Sequence, residues 1–471
     1  MPASAHPRPA FRLERPSRIQ LAGIIIGVLA FLIPFLIDIP GLETEGERML
    51  SIFLLAIVFW VTEAIPLVAT AVLVILGEVL LISNAALLPV GENALAAKSY
   101  FAALADPVII LFLGGFLLAD GAAKFGLDRN LAAVMLKPFQ GSGRMTVLGM
   151  MTITAVLSMF MSNTATTATM FAVVIPILAV MESPKARAGL ALSIPVAANI
   201  GGMGTPVGTP PNAIALGALA SHGIHISFLT WMILAVPLML VVLFLAWVLL
   251  VTFFIPSGTH IELALRSDFD RSTPAYIYYG VAALTVALWM TEPLHGINSN
   301  IVGFIPVAIL LATQVMTGDD LKMLQWPVLW LVSGGIALGI GVGASGLDTW
   351  LLGSVDWTSM STIALIVVLA GLGLGMSNVI SHSAAANLLI PLALGLGSGI
   401  SVDIAQIGVI IALACSLGMS LPISTPPNAI AYATGEVPTK YMALIGVIVG
   451  VVGALLLAFV MPWAWHLTGL L

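Results

Sequence analysis

Charge is what this sequence has least of. Asp, Glu, Lys and Arg together make up 8% of its 471 residues, against about a quarter in soluble domains. Hydrophobic residues reach 60%, and most windows of about 20 residues are apolar enough to cross a hydrocarbon core. A soluble chain with that surface would aggregate, so composition excludes one. Cysteine is nearly absent. Cys415 stands alone, which excludes an intramolecular disulfide and a multi-cysteine metal site. The seven histidines are scattered and none pairs with an acid at catalytic spacing. No activated nucleophile or metal cluster is visible, so an enzyme is not expected and no catalytic residue is assigned. No basic stripe with interleaved aromatics suggests nucleic acid. The net charge of −6 says little, because charge in a membrane protein has meaning by side.

What is present is a series of apolar stretches whose charges sort by side. Arg8, Arg12, Arg15 and Arg18 precede the apolar stretch 19–38. That stretch is longer than a signal-peptide core and is followed by acidic residues, without a small-residue cleavage site. Residues 1–18 therefore read as a cytoplasmic N-terminal segment and 19–38 as the first transmembrane helix. Asp38, Glu43, Glu45 and Glu47 suit the outside, and Lys124, Arg129, Lys137 and Arg144 the inside. The stretch 145–181 is broken at Ser162-Asn163-Thr164 and ends at Lys185 and Arg187. Basic clusters flank both its ends, which favours a re-entrant hairpin over a crossing. Non-helical backbone at membrane depth is tolerated only where it is buried in protein or lines a cavity. The break therefore hints at a site. A broken helix at 188–220 and a hydrophilic linker at 257–274, placed inside, complete a first repeat of 50–256.

The pattern then recurs over 275–471. Trp60-Val61-Thr62-Glu63 returns as Trp289-Met290-Thr291-Glu292. Gly114-Gly115 returns as Gly334-Gly335, an offset of 220 (334 − 114). The run from Thr209-Pro210-Pro211-Asn212 to Ala215 returns identically from Thr425-Pro426-Pro427-Asn428 to Ala431, an offset of 216 (425 − 209). A second hairpin at 358–397 and a second broken helix at 403–434 fill the matching places. Counting spans puts the ends of the second hairpin outside, so the halves are expected to have inverted topology. Inverted repeats with broken helices are the pattern of secondary transporters, with the site near the midplane.

The broken segments carry the chemistry. At an offset of 219, Ser158 matches Ser377, Ser162 matches Ser381, Asn163 matches His382 and Thr164 matches Ser383. An alternative register pairs Ser162-Asn163 with Ser377-Asn378 at 215. Nothing basic lies in either break. An anion there must be held by hydroxyls, amides and backbone N–H groups at helix N-termini. The same loops offer carbonyl, hydroxyl and Asn oxygens, which suit a hard monovalent cation. Small polar clusters can also simply glue helices; two, each followed by the same Pro-Pro break, point beyond glue. Glu63 and Glu292 read as interfacial residues at span ends, with proton carriers as the alternative, the paired glycines as close helix packing, and the tryptophans, Trp463 and Trp465 among them, as interface anchors.

The paired tips and paired breaks resemble the divalent anion:sodium symporter family, the INDY-like dicarboxylate, citrate and sulfate transporters. The resemblance covers nearly the whole chain after the first helix. It implies an all-α polytopic membrane protein of about eleven transmembrane helices plus two re-entrant hairpins, with scaffold and transport domains of the elevator type. It implies a homodimer in a bacterial inner membrane, with the N-terminus cytoplasmic and the C-terminus outside. It implies cation-coupled import of a small divalent anion, a C4-dicarboxylate such as succinate, malate or fumarate, with Na+ as the coupling ion. One sodium site would involve Ser158, Ser162, Asn163 and Gly208, and a second Ser377, His382 and Ser424. Substrate contacts would come from Asn163, Thr164, Thr209, Pro210, Ser381, His382, Ser383, Thr425 and Pro426. The family usually has Asn where this chain has His382. Imidazole is a poor ligand for an alkali ion and titrates near neutral pH, so His382 is expected either to alter coupling, by protonating with the substrate or by reducing the sodium stoichiometry, or to serve as a neutral hydrogen-bond donor to the substrate. A sodium-independent exchanger, a proton-coupled or sulfate transporter of the same fold, and an anion channel are the alternatives.

Overall fold

The structure, a computed structural model, describes residues 17–92, 94–256, 258–259, 267–354, 361–397 and 403–469. Arg8, Arg12 and Arg15, most of the N-terminal segment, much of the linker and the first residues assigned to the second hairpin lie outside those residues. Among the described residues every regular element is helical. That is what an apolar solvent dictates, since a helix satisfies its own backbone groups.

The first part of the chain forms α1 (Arg18–Leu36), α2 (Thr44–Thr62), α3 (Leu67–Leu81), α4 (Ala97–Ala102), α5 (Pro107–Lys124) and α6 (Leu127–Leu136). Next come α7 (Gly143–Phe160), α8 (Asn163–Val180), α9 (Pro184–Gly202), α10 (Pro210–Ser221) and α11 (Phe228–Phe254). The same order then returns. It runs α12 (Thr273–Met290), α13 (Glu292–His295), α14 (Ser299–Ala312), α15 (Gly318–Met323), α16 (Trp326–Ala344) and α17 (Leu347–Ser354). It closes with α18 (Thr362–Val379), α19 (His382–Gly397), α20 (Ile404–Ser416), α21 (Pro426–Ala433), α22 (Thr439–Phe459) and α23 (Met461–Thr468). Eight described helices are long and apolar enough to cross a membrane by length and composition. Shorter apolar helices include α3, α14 and α20.

The helix starts are cut by short polar side chains. Ser17, Asp106, Ser162, Ser227 and Asp403 each accept a hydrogen bond from an N–H in the first turn of the helix that follows. Those caps satisfy donors that hydrocarbon could not.

Packing pairs repeat between the halves. α7 packs on α9 as α18 does on α20, and α5 on α14 as α3 does on α16. The halves also interlock, with α10 against α19 and α21 against α8. The close glycine packing is present: a Cβ at Gly114 would meet the Gly303 carbonyl of α14. The tryptophans divide. Trp463 is exposed, but Trp465 is buried and donates its Nε1–H to Leu234 O at 2.9 Å. Trp465 is thus a core residue joining α23 to α11 and not an interface anchor. The sequence pattern missed this because neighbouring aromatics on a helix face opposite ways. Glu63 is exposed at the end of α2 and Glu292 is half-buried at the start of α13.

Candidate functional site

The two hairpin tips and the two helix breaks meet around one cavity of about 310 Å³. Its wall includes Ser162, Asn163 and Thr164 of the first tip and Ser381, His382 and Ser383 of the second. Gly208, Thr209 and Pro210 come from the first break, and Ser424, Thr425 and Pro426 from the second. Every substrate-binding residue expected from the sequence lies in this wall. Ser158 and Ser377 sit behind it, fully buried. Among the described residues, no Asp, Glu, Lys or Arg lines the cavity. A larger cavity of about 840 Å³ is lined by Glu43, Glu45 and Glu92. Acidic walls repel an anion, so the smaller, neutral cavity is the candidate.

The tips are built alike. Ser162 Oγ accepts from Ala165 N at 3.2 Å, and Ser381 Oγ from Ala384 N at 3.2 Å. The first intrahelical bonds run from Thr166 N to Ser162 O and from Ala385 N to Ser381 O. The N–H groups ahead of them, on Asn163, Thr164, His382 and Ser383, are therefore the orphan donors of α8 and α19. They point from helix N-termini, where the dipole is positive.

The breaks are built differently. α10 and α21 each open on two prolines, which have no N–H. Their starts therefore contribute the dipole and the Thr hydroxyls more than backbone donors. Of the four helix starts around the cavity, the two at the tips carry the backbone donors.

The oxygen chemistry differs between the halves. Ser158 Oγ donates to Ala198 O at 2.8 Å and lies 2.6 Å from the Asn163 side-chain amide. The amide atom facing it is also 3.2 Å from both Ala198 O and Gly208 O. Without a cation the hydrogen bonds favour Nδ2 inward, since Oδ1 there would face only acceptors. With Nδ2 inward it donates to these oxygens. With Oδ1 inward, Ser158 Oγ, Asn163 Oδ1, Ala198 O and Gly208 O converge with one hydroxyl hydrogen among them. Such a set has the chemistry of a hard-cation site. Gly202 is required beside it, because a Cβ there would collide with the Asn163 amide. Ser162 is not part of the cluster: its hydroxyl is taken by the cap and by Gln325 Nε2 at 2.8 Å.

In the second half no such cluster is formed by the expected residues. His382 is 7% exposed and its Nε2 stands 2.7 Å from Gly418 O. A carbonyl only accepts, so Nε2 carries the hydrogen. Ser377 Oγ donates back to Leu374 O at 3.1 Å, and Ser424 Oγ donates to Asn378 O at 2.9 Å. The ring N–H thus occupies ground that an oxygen ligand set would need.

Sequence reasoning missed two polar wall residues. Asn199 of α9 lies in the wall and reaches across to the second break. Gln325, just before α16, lies in it and holds the first tip. Neither has a like residue at the repeat position: Asn199 matches Cys415 (415 − 199 = 216) and Gln325 matches Ala105 (325 − 105 = 220). A search for doubled motifs passes over both.

Comparison with known proteins agrees with this architecture. The family described as "Sodium:sulfate symporter transmembrane region" matches residues 18–471. A protein of Staphylococcus saprophyticus named sodium-dependent dicarboxylate transporter SdcS is 31% identical over 468 residues, spanning 91% of this chain and 88% of that one. Its namesake in Staphylococcus aureus is 30% identical over 484 residues, spanning 94% and 90%. Among solved structures, the MtrF protein of Neisseria gonorrhoeae aligns with a TM-score of 0.54 at 11% identity, covering 96% of this chain and 95% of that one. The YdaH transporter of Alcanivorax borkumensis aligns with a TM-score of 0.53 at 12% identity, covering 78% and 87%. At those identities the structures speak for the fold alone.

Proposed function

The chain belongs to the sodium:sulfate symporter family, and we propose that it imports a small dicarboxylate dianion, such as succinate, malate or fumarate, together with sodium. The observation that carries this reading is the neutral cavity between both tips and both breaks. Its volume of about 310 Å³ is at the small end of ligand pockets. A dianion there would be received by N–H groups of α8 and α19 and by Thr hydroxyls, with no basic side chain. Removing two negative charges from water without a counter-charge is costly. A cation in the Ser158, Asn163, Ala198, Gly208 cluster supplies that counter-charge, and each ion lowers the desolvation cost of the other. Two relatives named for sodium-dependent dicarboxylate transport support the assignment.

His382 modifies the coupling in this reading. Its N–H on Gly418 O does for the second half what a cation would do, so fewer sodium ions accompany each substrate. The reading also takes the halves as inverted, the hairpins and broken helices as the part that moves as an elevator, and the protein as a homodimer. It places the protein in a bacterial inner membrane with the N-terminus in the cytoplasm and the C-terminus outside.

A thermal-shift series on the purified protein tests it. Succinate, malate, fumarate, citrate and sulfate are added with sodium or with an equal concentration of choline. Ligand that binds only the folded state raises the melting temperature. The expected result is a shift from C4-dicarboxylates that depends on sodium. An equal shift in choline, or none from any dicarboxylate, contradicts the reading.

A further inference from the structure

We infer that Asn199 is a positioning residue that fixes the Thr425 hydroxyl as a hydrogen-bond donor into the cavity. The inference rests on the dicarboxylate reading above and deepens it. Met419 O and Leu421 O are carbonyls and only accept. Asn428 Nδ2 lies 2.8 Å from the first and 3.0 Å from the second. That fixes the Asn428 amide, with Oδ1 on its other side. Asn428 Oδ1 only accepts, and the Asn199 amide lies 3.1 Å from it through Nδ2. That fixes the Asn199 amide in turn. The second hydrogen of Asn199 Nδ2 goes to Thr425 Oγ1 at 3.2 Å. The backbone N–H of Asn428 also points at Thr425 Oγ1, at 3.2 Å.

A hydroxyl has two lone pairs and one hydrogen. Both lone pairs of Thr425 are now taken by donors that cannot reverse. Its hydrogen has no other role left than to donate, and Thr425 lines the cavity. This matters because the Pro-Pro start of α21 lacks the backbone donors that an anion would otherwise find. The first half has no such device. Thr209 makes no side-chain cap, and the position matching Asn199 is Cys415. Asn199 is 1% exposed, and no partner is found for its Oδ1 among the described residues.

The test is a double-mutant cycle on sodium-driven succinate uptake into proteoliposomes, with KM and maximal rate read separately. The variants are Asn199→Ala, Thr425→Val and the pair. Loss of one hydrogen bond to a charged ligand corresponds to about tenfold to a hundredfold. Each single change is therefore expected to raise KM by about that factor with little change in maximal rate. In the Thr425→Val background, Asn199→Ala should add no more than about twofold, since valine has no hydroxyl to orient. If the KM effects multiply instead, or if Asn199→Ala lowers only the maximal rate, Asn199 is structural and the inference falls. Should Asn199→Ala fail to fold, the near-isosteric Asn199→Leu provides the same cycle. Absence of succinate uptake by the unaltered protein would overturn the dicarboxylate reading itself, a failure distinct from a multiplicative cycle in an active transporter.

Discussion

At the scale of single residues, the informative contrast is Asn163 against His382. Both open the second helix of a hairpin and both face a glycine-lined carbonyl. Asn can turn an oxygen toward a cation; imidazole has none to turn. Ser158→Ala removes a hydroxyl oxygen from the first cluster while leaving the backbone intact. It is expected to raise the sodium concentration for half-maximal uptake by about tenfold or more, the scale of one interaction with an ion. His382→Asn should do the opposite to coupling. A sodium titration of uptake is expected to become steeper, because an oxygen ligand is restored beside Gly418. An unchanged Hill coefficient in His382→Asn would count against the substitution of N–H for cation. The tip and break residues were legible in the sequence because they occur twice. Asn199 and Gln325 were not, because their roles come from partners more than 160 residues away along the chain, and no local spacing records that.

At the scale of elements, the geometry comes from how helices start. A Ser cap ahead of α8 and of α19 leaves two orphan N–H groups at each tip, while Pro-Pro at the starts of α10 and α21 removes them. Sequence reading placed the anion at helix starts of the tips and breaks; the missing proline hydrogens make those starts unequal. The breaks also need room. A Cβ at Gly202 would meet the Asn163 amide, and one at Gly418 would meet Ser377 Oγ. Gly202→Ala is expected to cost about 1–3 kcal/mol by overpacking and to weaken sodium binding in the same variant. Thermal unfolding in detergent, with and without sodium, checks both. A variant as stable as the parent in choline, with an unchanged response to sodium, contradicts the close approach. Gly114→Ala, where α5 meets α14 at the Gly303 carbonyl, should lose stability by a similar amount and leave the response to sodium unaltered.

At the scale of the whole molecule, the site exists only because the two halves interlock. α10 of the first half packs on the hairpin of the second, and α21 of the second on the hairpin of the first. The apolar, all-helical class was legible from composition, since lipid admits only helices and closed barrels and apolar runs of about 20 residues fit helices, not alternating barrel strands. The number of crossings was less so. Broken and short helices divide what reads as one span, and eight described helices meet the length and apolarity of a full span. The Lys124–Asp320 ion pair at 2.7 Å also joins the halves, from α5 to α15. Both side chains are partly exposed there, and such pairs contribute about 0–1 kcal/mol. Asp320→Asn is therefore expected to shift stability by less than about 1 kcal/mol, with uptake retained.

The central claim is that a neutral cavity binds a dianion because a cation shares its wall. Uptake of labelled succinate into proteoliposomes under an imposed sodium gradient tests it most directly. The account predicts accumulation that requires inward sodium and that falls to about half or less in Ser158→Ala at sodium concentrations just saturating for the parent. Accumulation of the same size with sodium replaced by choline would contradict it.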